Sequence, residues 1–107
     1  MKIEITQILS IFDELLSLSD EEQGNYWFQS SRSDGVIIIL AISIYECKVA
    51  VTIYNASEVA LASVCFKSCS AVNVLDINHK CLEILHSNEK GRYFISLMGN
   101  TILEYSE

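Results

Sequence analysis

From Ile3 to Leu18 the apolar residues recur with a helical period. Ile5, Ile8, Leu9, Phe12, Leu15 and Leu16 follow i, i+3, i+4, i+7 spacing, and Thr6, Ser10, Asp13 and Ser17 form a polar stripe between them. The spacing predicts one amphipathic helix over 3–18. Ile11 and Leu18 fall off the apolar stripe, so each is expected on a second packing surface or in solvent. The period stops at Ser19 and a polar run leads to Gly24.

Beyond Gly24 the period shortens to two, or gives way to short apolar runs rich in Val, Ile, Tyr and Phe. Strands are predicted over 25–30, 36–45, 48–55, 58–66, 71–76, 81–86, 92–98 and 101–105, with turns at 31–35, 46–47, 55–57, 67–70, 77–80, 87–91 and 99–100. Gly99-Asn100 suits a two-residue hairpin, and Asp34-Gly35 and Lys90-Gly91 suit longer ones. Such short connections make neighbours antiparallel, because a parallel crossover needs about a dozen residues or more. The predicted fold class is therefore α+β: one N-terminal amphipathic helix followed by an antiparallel β meander of about 7–8 strands, in one curved sheet or two packed sheets. Apolar at both parities, strand 36–45 is expected to be central, and the helix to cover an open face. The strands fall loosely into two groups of four.

Composition adds few alternatives. The chain has 107 residues, half of them apolar and a fifth charged, which suits one globular domain spanning 1–107. No Pro and four Gly leave no linker. Val36 to Ile44 is a nine-residue apolar run, too short for the ~20 residues of a spanning helix. Glu4, Asp13 and Glu14 interrupt the N-terminal apolar pattern, so no secretory signal is read there and a cytoplasmic location is expected. The four cysteines, Cys47, Cys65, Cys69 and Cys81, are then expected as reduced thiols.

Charge changes the picture more. The net charge is −7, and residues 1–34 hold seven acids against two bases, a local charge of −5. That field repels phosphate backbones and anionic membranes, so neither nucleic acid nor membrane is expected as a partner, and a basic protein suits it better.

Catalytic and cofactor motifs are missing. Cys65, Cys69, His79, Cys81 and His86 offer zinc-ligand types, but without the paired knuckles of structural zinc sites. No G-x-S-x-G elbow accompanies His79, and Asp76 and Glu83 flanking its turn are weak grounds for acid-base work. No glycine falls in a phosphate-cradling motif. No cofactor, no metal and no enzymatic activity are expected.

What remains is "SLSDEEQGNYWF", residues 17–28, where Asp20, Glu21 and Glu22 precede Tyr26, Trp27 and Phe28. Strand alternation puts Tyr26 and Phe28 on one face and Trp27 on the other. Carboxylates just past a helix C-terminus gain nothing from its dipole. The tract is either a solvated loop before a core strand or a binding surface of aromatic rings beside charge. On the second reading Asp13, Glu14, Asp20, Glu21, Glu22 and Trp27 contact a partner.

In size, acidity and helix-plus-meander build, the chain resembles bacterial immunity proteins of the contact-dependent growth-inhibition type. Its acids Asp13, Glu14, Asp20, Glu21 and Glu22 and the series "CLEILHSNEKGRYFISLMGNTILEY" from Cys81 to Tyr105 carry the likeness. These families share no catalytic motif, so no contact residue is carried over. The resemblance implies a cytoplasmic protein that binds and neutralises a cognate toxin domain stoichiometrically, often a nuclease with a basic cleft. A reading from another class is a small ligand-binding or regulatory β domain with an apolar pocket lined by the aliphatics of 36–66.

Overall fold

The computed structural model describes residues 1–87 and 91–107. A short strand β1 (Lys2–Ile3), one helix α1 (Ile5–Leu9) and a second short strand β2 (Glu14–Leu15) come first. The eight predicted strands follow: β3 (Asn25–Ser31), β4 (Ile37–Ser43), β5 (Lys48–Tyr54), β6 (Ala60–Phe66), β7 (Cys69–Asp76), β8 (Cys81–His86), β9 (Arg92–Ser96) and β10 (Leu103–Ser106). They form two five-stranded sheets, a front sheet in the order β2-β3-β4-β5-β6 and a back sheet in the order β1-β7-β8-β9-β10. The expected groups of four are thus separate sheets, exchanged between Phe66 and Cys69. β4 occupies the centre of the front sheet, as its two-sided apolar pattern predicts.

The N-terminal helix is much shorter than its periodicity suggests, and the fold is mostly β. At five residues α1 is below the length at which a helix is stable by itself, so packing must hold it. After Ser10 the chain turns Ile11 and Phe12 into the core, and β2 then pairs with β3 in the register Glu14↔Gln29 and Leu15↔Phe28. Asp13 fixes that departure, since its carboxylate accepts the Ser31 backbone N–H at 2.7 Å. Ile11, expected off the core face, is 1% exposed, whereas Leu9 and Leu15, expected on it, are exposed; Leu18 is exposed too. A period of 3.6 counted over sixteen residues cannot distinguish a long helix from a short one followed by an inward-turning loop and an edge strand.

The eight predicted strands pair antiparallel within their sheets, as expected, and β1, a strand the periodicity does not predict, pairs parallel with β7 through Lys2↔Ala71 and Ile3↔Val72. One further expectation is corrected. Gly99-Asn100 is not a two-residue hairpin: the Ser96 N–H donates to the Ile102 carbonyl at 2.9 Å, enclosing a wider loop in which Ser96 Oγ accepts the Gly99 N–H. The Asp34-Gly35 turn does form, with Gly35 at φ +88° and the Asp34 carboxylate accepting the Val36 N–H. Asn88, Glu89 and Lys90, and with them the Lys90-Gly91 hairpin, lie outside the described residues.

One core joins the sheets. Phe28, Ile38, Leu40, Ile42, Val49 and Val51 from the front sheet pack with Val72, Leu82, Ile84 and Ile95 from the back sheet and with Ile8, Ile11 and Phe12. Burying each such side chain contributes about 1.5–3 kcal/mol, and together they hold the short elements in place. No helix of the described residues is long and apolar enough to cross a membrane.

Candidate partner-binding face

Antiparallel pairing lines up the side chains of the front sheet in rows, and successive rows point to opposite sides. The inward rows are Leu15, Phe28, Leu40, Val51, Val64 and Tyr26, Ile42, Val49, Phe66. Between them stand the outward rows Trp27, Ala41, Ala50, Cys65 and Glu14, Gln29, Ile39, Thr52, Ser63, followed by Ile37 opposite Tyr54. The outer face is therefore apolar along its middle, which is why β4 reads as apolar at both parities. The helix packs against β7 of the back sheet.

This face has relief. Ala41 and Ala50 are too small to fill their row, and a hollow of about 290 Å³ opens between Trp27, Ala41, Ala50, Lys48 and Cys65. A second, of about 270 Å³, is lined by Gln29, Ile37, Ile39, Tyr54 and Glu58. Both are shallow depressions of the kind that accept a partner's side chains. The aliphatics proposed to line an internal pocket, Ile38, Leu40, Ile42, Val49 and Val51, are instead packed into the core. A wider hollow of about 450 Å³ lies where Ser30–Ser33 approach Asn78, Lys80, Leu97 and Met98, and its lining mixes polar and apolar surface.

Trp27 stands on the outer face, opposite to Tyr26 and Phe28, as alternation requires. Its backbone is held at both ends: the N–H donates to Ser19 Oγ at 2.9 Å and the carbonyl accepts the Leu16 N–H at 2.7 Å. The indole remains 37% exposed on this fixed support. Tyr26, inward and half-buried, has its phenol pKa raised by burial and then by the nearby Glu21 carboxylate.

The acids form a rim along the β2 side rather than one cluster. Glu14 shares a row with Gln29, and Asp13 is tied to Ser31 at the end of β3. Asp20 exchanges backbone hydrogen bonds of 2.7 and 2.9 Å with Asn25 at the start of β3, while Glu21 and Glu22 project from the intervening turn. The two groups are separated by the length of β3, about 20 Å. Since α1 ends at Leu9, the acids of 20–22 do not follow a helix C-terminus, and the unfavourable dipole expected there is absent.

Other candidate residues are dispersed. His79 Nδ1 lies 2.6 Å from Asp76 in an exposed turn, but the Glu83 carboxylate is engaged by Arg92 and Asn73. Cys65 is exposed on β6 while Cys69 is buried, its thiol pKa pushed up to about 11 by burial. Among the described residues no three His, Cys, Asp or Glu side chains gather in a metal-ligating group. Sequence reasoning overlooked Ile37, Ile39 and Tyr54 as surface residues. The run of Ile and Val at both parities carried that signal, since one of its faces had to lie outside the core.

No family model matches the chain, and no curated protein sequence matches it. Among solved structures, a chain of the contact-dependent growth inhibition toxin–immunity protein complex from Klebsiella pneumoniae 342 superposes with a TM-score of 0.71 over 94% of this chain and 89% of that one, at 11% identity. The chain shares the fold of a component of that toxin–immunity complex.

Proposed function

We propose that this protein is an immunity protein that binds and neutralises a cognate toxin domain as a stoichiometric, non-enzymatic inhibitor. The observation that carries this reading is the fold shared along nearly the whole length with a component of a toxin–immunity complex. The charge distribution supports it, since residues 1–34 carry −5 of the net −7. The toxin on this reading is a basic, nuclease-type domain, and the complex forms in the cytoplasm.

In this mechanism the rim of Asp13, Glu14, Asp20, Glu21 and Glu22 steers a basic partner into encounter and competes with nucleic-acid phosphates for its Lys and Arg side chains. Trp27 and the apolar rows beside it supply desolvated contact and slow dissociation. The rim borders the rows along the β2 edge of the sheet, so a single partner can engage both.

The test is a tagged pull-down at moderate salt from cells expressing the neighbouring genes, followed by growth assays with the captured protein. One basic domain recovered at one-to-one stoichiometry, toxic alone and harmless with this chain, is the expected result. Toxicity unaffected by the chain overturns the reading. A co-purifying small molecule with no protein partner would favour the ligand-binding alternative.

A further inference from the structure

Three of the four sheet edges are blunted. β1 and β2 are two residues long, and β10 carries Glu104, with Glu107 just beyond its end. β6, the fourth, runs for seven residues, and 59–66 contains neither a charged residue nor Pro. Val59, Leu61 and Val64 are 57%, 60% and 37% exposed, and every residue from Ala60 to Cys65 is exposed. Charges, Pro or brevity normally protect an edge, because its free N–H and C=O groups template another strand. β6 has none of these devices.

We propose that β6 pairs antiparallel with β6 of a second copy of this chain, joining two front sheets into one ten-stranded sheet about a two-fold axis. Charge identifies the occupant. Like an uncharged strand meeting itself, this pairing juxtaposes no like charges along 59–66. The acid tract lies along β2 and the turn before β3, at the opposite edge of the same sheet, so two chains of charge −7 keep their acids apart.

The strand is also self-complementary at its ends. It is bracketed by Glu58 and Lys67, of opposite sign. A two-fold axis through Ala62 or Ser63 brings Glu58 of each copy within one residue of register of Lys67 of the other. A basic toxin, in contrast, finds its complementary charge across the sheet. This inference goes beyond the immunity reading and does not rest on it.

Light scattering or sedimentation of the full chain over a concentration series tests it. The expected mass at high concentration is twice 12.0 kDa. Leu61→Lys and Ser63→Lys should each lower it to 12.0 kDa while leaving the far-ultraviolet circular dichroism unchanged. Glu58→Lys and Lys67→Glu should each weaken the dimer, and the double exchange should restore it. Should the Lys variants fail to fold, oxidative cross-linking of Ser63→Cys and Ala62→Cys in a Cys65→Ser background reads the same pairing, with a covalent dimer expected from the residue nearer the axis. A wild-type chain that stays at 12.0 kDa throughout overturns the proposal, as does a dimer indifferent to all these changes. Loss of toxin binding in Leu61→Lys from a monomeric wild type would assign the edge to the toxin and overturn it equally.

Discussion

Arg92 Nη1 lies 3.0 Å from Glu83 Oε2, and Glu83 is only 7% exposed. Asn73 Nδ2 approaches the other carboxylate oxygen at 3.3 Å, and the Arg92 guanidinium also sits over the Phe94 ring at 5.3 Å. Arg92→Ala leaves a buried carboxylate with one neutral donor, so it should cost about 2–4 kcal/mol. Urea denaturation measures this. Replacing both partners, with Glu83→Met and Arg92→Met, should recover much of the loss, because the buried charge goes with its partner. A single variant within about 0.5 kcal/mol of wild type would mean the pair is idle.

Ile11 provides a test of the corrected N-terminal segment. Buried between the sheets rather than on a helix surface, it should lose about 2–5 kcal/mol on Ile11→Ala. Leu18→Ala, at an exposed position, should stay within about 0.5 kcal/mol. A long helix through 3–18 with Ile11 on its outer side would give a small effect for both, so the ratio of the two melting shifts decides.

The four thiols should react in an order set by access. Cys65 is exposed and should be modified first by a thiol reagent under native conditions. Cys69 is fully buried, and burial pushes its pKa up to about 11, well above neutral pH, so it should react only as fast as the protein opens. Mass spectrometry of partly labelled protein reports the order. Early labelling of Cys69 would contradict the described junction between the sheets.

Asp76 accepts hydrogen bonds from the His79 ring at 2.6 Å and from the His79 backbone N–H at 3.2 Å, and these hold its pKa below the ordinary 3.8. The folded value lies below the unfolded one. Its contribution to stability is therefore present above the unfolded value and lost as pH falls through the folded one. The stability difference between wild type and Asp76→Asn should close in the acid range, below about pH 4. A carbon-detected titration should place the Asp76 midpoint below 3.8; a midpoint above that value would remove the His79 contact from the folded state.

On the proposed toxin interface, reversing Asp20, Glu21 and Glu22 to Lys should slow association at low salt and flatten its salt dependence, leaving dissociation little changed. Trp27→Ala should act on dissociation instead, by about 2 kcal/mol or more if the indole is a central anchor. Stopped-flow and surface-binding kinetics separate the two. Wild-type rates in both variants would move the interface elsewhere on the molecule.

The strands were legible because their signals are local. The two-residue period and the turn clusters place β3 to β10 within a few residues of their observed ends, and Trp27 points away from Phe28 by alternation alone. The helix was not, because Ile11 and Phe12 turn inward through contacts with distant strands and no neighbouring residue records that. The sheet exchange at Lys67-Ser68 hides for a similar reason. Ser68 takes a left-handed φ of 55°, its carbonyl accepts the Ser87 N–H, and the Cys69 N–H reaches the Cys47 carbonyl, all long-range partners. Of the candidate site, the charge and Trp27 could be read from the chain, while the outer rows of Ile37, Ile39 and Tyr54 required knowing which face the core takes.

The parallel pair between β1 and β7 joins residues separated by 69 positions, Lys2 with Ala71. Closing so long a stretch of chain for two residues of ladder yields little cooperativity, and the antiparallel hairpins can form beforehand. The N-terminal strand thus behaves as a clasp, the last element to dock and the first to release. Hydrogen exchange at Ile3 should outpace that at the centre of β8 by orders of magnitude, and each release bares the edge of β7 while the rest of the sandwich stays shut.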